Sequence, residues 1–374
     1  MTTLRDVVAV LDELYDPRWA DGWDAVGTVA GDPDAGVHTI LFAVDPVQAV
    51  ADEAVRVGAD LVVTHHPLYL KGTTSVAATT PKGRVVHTLV SNGIALHTCH
   101  TNADAPPLGV SEAMAQVLGL RDIRPLEEDL DRGLDKWAVF VPVPDADAVA
   151  AAMHDAGAGR LGDYDRAQFQ SRGTGSFRPL EGAHPTIGDI GDVEHVDEVK
   201  VEMVAPVQLR ERVRCALLAA HPYEEVAYDL IETAARPSGR GSGRIGVLEA
   251  PMTLGDFAQH VKDVLPEHHG ATRVAGDLDR EVRTVALCGG SGDFLLGRAD
   301  AMGADVYVTS DLRHHPVSEH RERPGACAVV DVPHWAAEWT WLPVAAREVT
   351  ARLGGTVKAH VSTIVTDPWT TTLS

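Results

Sequence analysis

Two stretches decide how this chain folds: "GADLVVTHHP" at residues 58–67 and "GADVYVTSDLRHHP" at residues 303–316. Each opens on Gly-Ala-Asp, passes through three apolar residues and ends on a threonine, Thr64 in one copy and Thr309 in the other. A short apolar run bounded by turn residues reads as a buried strand. The residues just past each strand are chemically loaded: His65 and His66 in the first copy, then Asp311, His314 and His315 in the second. Open α/β sheets place their sites at strand ends of this kind.

Working outward, residues 4–15 carry Leu4, Val7, Val8, Leu11 and Leu14 at helical spacing. "HTILFAVDP" (38–46) reads as a strand, "VQAVADEAVRVG" (47–58) as a helix, and 60–64 as the next strand, a βαβ order. "GRVVHTLVSNG" followed by "IALHTCHTNAD" repeats it. From about residue 128 the texture changes. "KWAVFVPV" and "VKVEMVAP" read as strands, "ADAVAAAMHDAGAG" and "VQLRERVRCALLAAHP" as helices, and a Gly/Ser-rich "RPSGRGSGRIG" comes after them. "TVALCGGSGDFLLGRADAMGADVYVTSD" then resumes the strand–turn–helix–strand rhythm of the beginning. The expected architecture is α/β: two similar α/β halves forming one discontinuous domain (1–127 and 252–374), with an α+β domain inserted at 128–251.

Composition fits a soluble globular chain, with 374 residues, 45% hydrophobic and 23% charged. The formal charge of −22 repels phosphate backbones and argues against a nucleic-acid partner, though bound cations can reverse the field locally. No run approaches eighteen apolar residues, so no membrane span is expected. "MTTLRDVVAVLDELYDP" has no basic segment followed by an apolar run, and Cys99, Cys215, Cys288 and Cys327 form no CxxC pair. A cytoplasmic protein with reduced, mainly buried cysteines is the expectation.

Further clusters accompany the repeated strands. "HTCHTNAD" supplies His97, His100 and Asp104, although Asp104 also suits a cap or turn before "PPLGVSEAMAQVLG". "DVPHWAAE" sets His334 and Glu338 four residues apart, on one face of a helix that comes after the strand "CAVVD". Imidazole and carboxylate together suit Zn, Fe, Mn, Co or Ni. Two histidines in a row can serve one site only if the strand ends there and the chain turns, and Pro67 fits that turn. "CGGSGDF" (288–294) lacks the lysine of a phosphate loop, so tight strand-to-helix packing is the favoured reading. Trp335 and Trp339 read as packing residues.

With these motifs in place, the chain resembles the Nif-three-like family, the GTP cyclohydrolase I type 2 homologues. The resemblance runs through "WDAVG", "VVTHHPL", "HTNAD", "CGGSGDF", "GADVYVTSDLRHH" and "VPHWAAE", with "GAGRLGDYD", "GTGSF", "HPYEEVAYDL" and "GRIGVL" in the inserted block. It implies a centre of two divalent metal ions (Zn, Fe, Mn or Ni) held by His65, His66, Asp104, His334 and Glu338. It places His100 and His315 beside the ligands as orienting or proton-carrying groups. It further implies a homohexameric ring, a ferredoxin-like inserted domain capping it, and a metal-dependent hydrolase acting on a nucleotide or related small molecule. A non-catalytic metal-binding scaffold and a phosphoesterase are the rival readings. Two departures stand out: Thr309-Ser310-Asp311 where the family tends to Thr-Gly-Asp, and Pro333-His334 where it tends to Gly-His.

Overall fold

The computed structural model describes residues 2–131 and 133–373. The chain divides into two compact units, Met1–Asp129 with Gly239–Ser374, and Leu130–Ser238. Residues 239–251 thus sit with the outer unit rather than with the middle block, because Arg244–Val247 pair antiparallel with the strand Glu281–Ser291.

The outer unit contains two sheets. The first runs Gly27–Ala30, Ala95–Thr98, Leu61–Thr64, Thr39–Ala43, Lys358–Val361 in spatial order, with the last four mutually parallel. The second runs Arg273–Ala275, Ala328–Asp331, Val306–Ser310, Glu281–Ser291, Arg236–Thr253, Arg121–Asp131. In each sheet the Gly-Ala-Asp strand has a parallel neighbour on both sides.

The repeated tripeptide has one physical job in both places. Gly58 and Gly303 lie at φ 66° and 72°, the left-handed region that ends a helix. Ala59 N–H then donates to Ala54 O, and Ala304 N–H to Ala299 O. Asp60 accepts from the backbone N–H groups of His38 and Thr39 at 2.7 and 2.9 Å, and Asp305 from those of Arg283 and Thr284 at 3.0 and 2.7 Å. Each aspartate therefore ties the start of its own strand to the start of the neighbouring one. The same residues solve the same junction twice.

Side chains alternate across these strands. Ile40, Phe42, Leu61, Val63, Val306 and Val308 enter one shared core with Leu4, Val7, Leu11 and Trp341. Leu41, Ala43 and Val62 face the helices Gln48–Val57 and Pro81–Ser91, while Tyr307 and Val329 face Leu295, Leu296 and Ala299. Both faces being covered explains why these strands read as unbroken apolar runs. The fully buried Arg244 donates to Glu112 and to four backbone oxygens, of Gly241, Gly243, Ala105 and Pro106.

The second unit has the order strand, helix, strand, strand, helix, strand: Leu134–Pro142, Ala146–Asp155, Phe169–Phe177, Glu194–Pro206, Arg210–Ala220 and Tyr228–Glu232. Its strands pair antiparallel, with Glu194–Pro206 and Leu134–Pro142 central and Phe169–Phe177 and Tyr228–Glu232 at the edges. Trp137, Val139, Val149, Met153, Val201 and Leu217 form its core. Among the described residues no helix is long and apolar enough to cross a membrane.

Candidate metal centre

The first sheet delivers two histidines by ending. The strand stops at Thr64, whose Oγ1 donates to His66 O at 2.9 Å and fixes the turn. His65 and His66 continue the backbone pairing, donating to Ala43 O and Val44 O. The rings are then held separately: His65 Nδ1 lies 3.0 Å from Cys99 O, and His66 Nδ1 lies 2.7 Å from Asp45 Oδ1. Each Nε2 is left facing inward. One nitrogen engaged by a carbonyl or carboxylate, the other free, is the arrangement of a metal-ligating histidine.

The neighbouring strand Ala95–Thr98 brings in His100 and Asp104 through the one-turn helix Thr101–Asp104. His100 Nδ1 lies 2.8 Å from Asp24 Oδ1, while Asp24 Oδ2 accepts from Thr101 N and Oγ1 at 3.0 and 2.6 Å. Asp104 does not cap the next helix, Val110–Val117, whose N-cap is Gly109. The second sheet contributes from the other side. After the strand Ala328–Asp331, Pro333 occupies the N-cap of the helix His334–Trp339, so the proline leaves the ligand helix intact. His334 Nδ1 lies 2.7 Å from Asp311 Oδ2.

Glu338 is the hub. Its Oε1 lies 2.7 Å from His334 Nε2 and 3.4 Å from His65 Nε2, and its Oε2 lies 3.1 Å from His66 Nε2. Asp104 Oδ1 lies 3.8 Å from the same His65 nitrogen. Ring centroids of His65, His66 and His100 stand 5.1–5.6 Å apart, and His66 and His334 5.3 Å apart. His65, His66 and His100, and again His66, His334 and Glu338, present donor atoms within 4.8 Å of one another, so both trios can hold a metal ion. All five expected ligands meet here, and His100 joins them as a further donor.

These contacts are close without being good hydrogen bonds. His334 Nε2, Glu338 Oε2 and Asp104 Oδ1 are enclosed and have no hydrogen-bond partner. Buried polar atoms are otherwise satisfied almost everywhere in proteins. Donors that converge but do not align with each other are aimed at a third point between them, which is what a cation requires. Gly290 completes the cradle. Its φ is 79°, and a Cβ there would lie 2.5 Å from Glu338 Oε1. Gly289 packs on Val110 and Gly292 on Tyr307 and Thr309, the tight packing expected of "CGGSGDF".

Among the protein groups alone, the electrostatics are those of crowded ion pairs. Burial pushes Glu338 up, but the facing imidazoles of His66, His334 and His65 outweigh it and hold the carboxyl well below its usual range. Burial pushes His66 and His334 down, yet Glu338, with Asp45 or Asp311, lifts them to about 11 and about 10. His65 is raised too, with Glu338 and Asp104 overriding its burial. Burial raises Asp104. Hydrogen bonding from His334 lowers Asp311.

Not every expected residue arrives. His315 is exposed at the start of the helix His314–Arg321, its ring set edge-on to His314 at 5.2 Å, outside the cluster. His97 is buried in its strand against Thr28 Oγ1, and burial lowers it to about 4. Ser310, one of the two departures noted in the sequence, sits within the strand; the left-handed residue is Asp311 at φ 58°. Trp335 is buried, and Trp339 Nε1 donates to Ser362 O. Three carboxylates hold the rings: Asp311, singled out in the sequence at the end of the second repeated strand, and Asp45 and Asp24, which sequence reasoning assigns no role. The visible signal is an aspartate at or just beyond an expected strand end in two of the three. A third trio, Asp300, His320 and Cys327, also comes within 4.8 Å. Here Asp300 Oδ1 accepts from Cys327 N–H and His320 Nε2 lies 3.1 Å from Cys327 O, while His320 Nδ1 is enclosed without a hydrogen-bond partner, 3.4 Å from Asp300 Oδ2.

A cavity of about 600 Å³ opens beside the cluster, touching His66, His334, Arg273, Trp335, Asp367 and Trp369.

A family model for Duf34/NIF3 (NGG1p interacting factor 3) matches residues 2–368. The GTP cyclohydrolase 1 type 2 homolog of Mycobacterium leprae (strain TN) is 46% identical over 367 residues, 98% of this chain and 94% of that one. The protein of the same name from Bacillus subtilis (strain 168) is 36% identical over 332 residues, 89% of this chain and 88% of that one. Among solved structures, the Bacillus cereus protein related to NIF3 superposes with a TM-score of 0.72 at 34% identity, covering 99% of both chains. A Staphylococcus aureus protein does so at 0.81 and 27% identity, with the same coverage. Matched along nearly its whole length by the family model and by relatives well above 30% identity, this chain belongs to the Duf34/NIF3 family.

Proposed function

We propose that the cluster binds two divalent transition-metal ions and that the protein is a metal-dependent hydrolase acting on a nucleotide or a related small molecule. The observation that carries the reading is the set of enclosed donors without hydrogen-bond partners: His334 Nε2, Glu338 Oε2 and Asp104 Oδ1. His65, His66, Asp104, His334 and Glu338 are the proposed ligands. Glu338 or Asp104 would be the carboxylate shared by the ions; one oxygen of Glu338 faces His334 and His65 and the other faces His66. When bound, such a pair supplies Lewis acidity and makes water a nucleophile near neutral pH.

The chain's own groups do the rest. Asp45, Asp311 and the Cys99 carbonyl fix three imidazoles by their Nδ1 atoms, so each Nε2 is directed inward. His100, oriented by Asp24, is the group placed to hold or move a proton beside His65 and His66. His315 takes no part in this scheme. The adjoining cavity falls in the usual size range of small-molecule sites, roughly 300–1,000 Å³. The names of the relatives, homologues of a GTP cyclohydrolase, favour a nucleotide. The accompanying domain reading is a discontinuous metal-binding domain interrupted by a ferredoxin-like insert, assembled as a homohexamer.

Elemental analysis of protein purified without added metal tests the first claim, with two ions per chain expected. Metal-loaded protein is then assayed against a panel of nucleotides and phosphoesters, and Glu338→Ala is expected to abolish turnover. Ring opening of GTP supports a cyclohydrolase, and phosphate release supports a phosphoesterase. Tight, exchangeable metal with no turnover on any substrate would replace the enzyme by a metal-binding scaffold. Light scattering reports the assembly.

A further inference from the structure

We infer that Thr366 is a positioning residue for the cation centre, and that through it the C-terminal segment Ser362–Thr372 forms part of the site. The inference rests on the metal-binding reading above and extends it to a residue outside the ligand set. After the strand Lys358–Val361 the chain does not leave the surface. Ser362 N–H donates to Phe42 O at 2.8 Å, Trp339 Nε1 donates to Ser362 O at 2.8 Å, and Thr372 Oγ1 donates to His269 O at 3.0 Å. The segment is thereby laid along the wall of the cavity that also touches His66 and His334.

Within that wall, Thr366 Oγ1 donates to Asp45 Oδ2. The other oxygen of the same carboxylate, Oδ1, lies 2.7 Å from His66 Nδ1, and His66 Nε2 lies 3.1 Å from Glu338 Oε2. Four groups therefore connect the tail to the hub of the centre. A carboxylate held at one oxygen only can rotate about its terminal torsion, which is broad and soft. With Thr366 on one oxygen and His66 on the other, the carboxylate plane is fixed, and with it the direction of the His66 ring. Groups that orient a ligand in this way typically change metal affinity by about 10–100-fold when removed. Thr366 reaches the metal only through Asp45 and His66, so it is a positioning residue.

The test compares Thr366→Val, which keeps the shape and removes the hydroxyl, with Thr366→Ser, which restores it. Zinc affinity of the full chain is measured by competition with a chromophoric chelator. Thr366→Val is expected to weaken binding about tenfold or more, while Thr366→Ser binds like the wild type. A Thr366→Val protein that melts earlier yet binds zinc with unchanged affinity when folded has lost only packing, and that result overturns the inference. If the wild type binds neither zinc nor iron(II), manganese(II) or nickel(II), the metal reading fails by itself. The positioning claim is then read in the same metal-free samples from the imidazole nitrogen signals of His66. A single sharp set in wild type and Thr366→Ser, doubled or broadened in Thr366→Val, supports it. Identical signals in all three overturn it.

Discussion

Gly290→Ala separates the cradle argument from every other explanation of metal binding, because its two effects can be measured apart. The first is backbone strain. Gly290 lies at φ 79°, and holding an L-residue there costs about 1–2 kcal/mol. The second is steric. The new Cβ would stand 2.5 Å from Glu338 Oε1 and 3.5 Å from His334 Nε2. Relief requires the carboxylate to retreat by about half an ångström or more, and metal–ligand distances tolerate only about 0.2 Å. Glu338 is fully buried among imidazoles, so retreat means leaving the common point.

Gly303→Ala is the matched control: its φ is 72°, and a Cβ there meets nothing within 4 Å. Both variants should lose stability by a similar amount, about 1–2 °C in melting temperature per kcal/mol for a chain of this size. Only Gly290→Ala should lose zinc affinity, by about 10–100-fold, in a calorimetric or chelator-competition titration. If Gly290→Ala binds zinc as the wild type does, Glu338 does not need the space and the cradle argument is refuted. If Gly303→Ala loses affinity equally, the effect is strain and the argument fails in a different way.

Asp311→Asn and Asp45→Asn should each lower zinc affinity about 10–100-fold without emptying the site, as measured by titration, because each removes the charge that holds one imidazole. Arg244→Met should destabilise the fold by about 3–5 kcal/mol in urea unfolding, since it strands Glu112 and the Ala105 and Pro106 carbonyls beside Asp104. His66 and His334 are raised to about 11 and about 10, so their contribution to chelator-treated protein is complete below about pH 6.5 and lost as pH rises through those values. Glu338 is depressed, so its contribution holds above about pH 4.3 and is lost as pH falls through its folded value; the chelated protein should therefore melt highest between these limits. Zinc must displace the two imidazole protons, so the gap in melting temperature between zinc-loaded and chelated protein should widen from about pH 6 to about pH 8.5, and a constant gap would refute the assignment.

Much of the site is legible because ligand type and strand end coincide in the sequence. Thr64-His65-His66-Pro67 announces a strand that stops and turns, and His334 and Glu338 share a helix face by spacing alone. His315, which the resemblance sets beside the ligands, lies outside the cluster for a geometric reason. In the first copy the histidines come directly after the strand. In the second, Leu312 and Arg313 intervene after Asp311, which turns the chain at φ 58°, and a helix begins at His314 with its first turn exposed. Asp45 and Asp24 can be seen but not ranked. Their roles depend on register between strands and on a loop returning over His100, and neither is a property of local sequence. Gly290 reads as packing, which holds for its neighbours Gly289 and Gly292. That its missing side chain admits a carboxylate from 48 positions later is a three-dimensional fact. The edge strand Phe169–Phe177 escapes for the opposite reason: mostly exposed and interrupted by Gly173 and Gly175, it has no buried face to create a pattern.

The charge arrangement narrows what the centre can hold. Glu338 and Asp104 face the cluster interior, while Asp45, Asp24 and Asp311 stand behind its rings, each bonded to an Nδ1 or, for Asp24, to His100 and Thr101. Protons alone can balance these carboxylates only by charging imidazoles whose centroids lie 5.1–5.6 Å apart, so every proton that favours Glu338 repels its neighbours. Burial worsens this, since charged rings are removed from water while paired with misaligned oxygens. A divalent ion placed between the donors reverses each term. The rings would stay neutral, the lone pairs of His334 Nε2 and Glu338 Oε2 would find a partner, and the carboxylates behind the rings would strengthen the ligands instead of competing for protons. A site assembled merely for stability would align its donors with one another. This one aims them past one another.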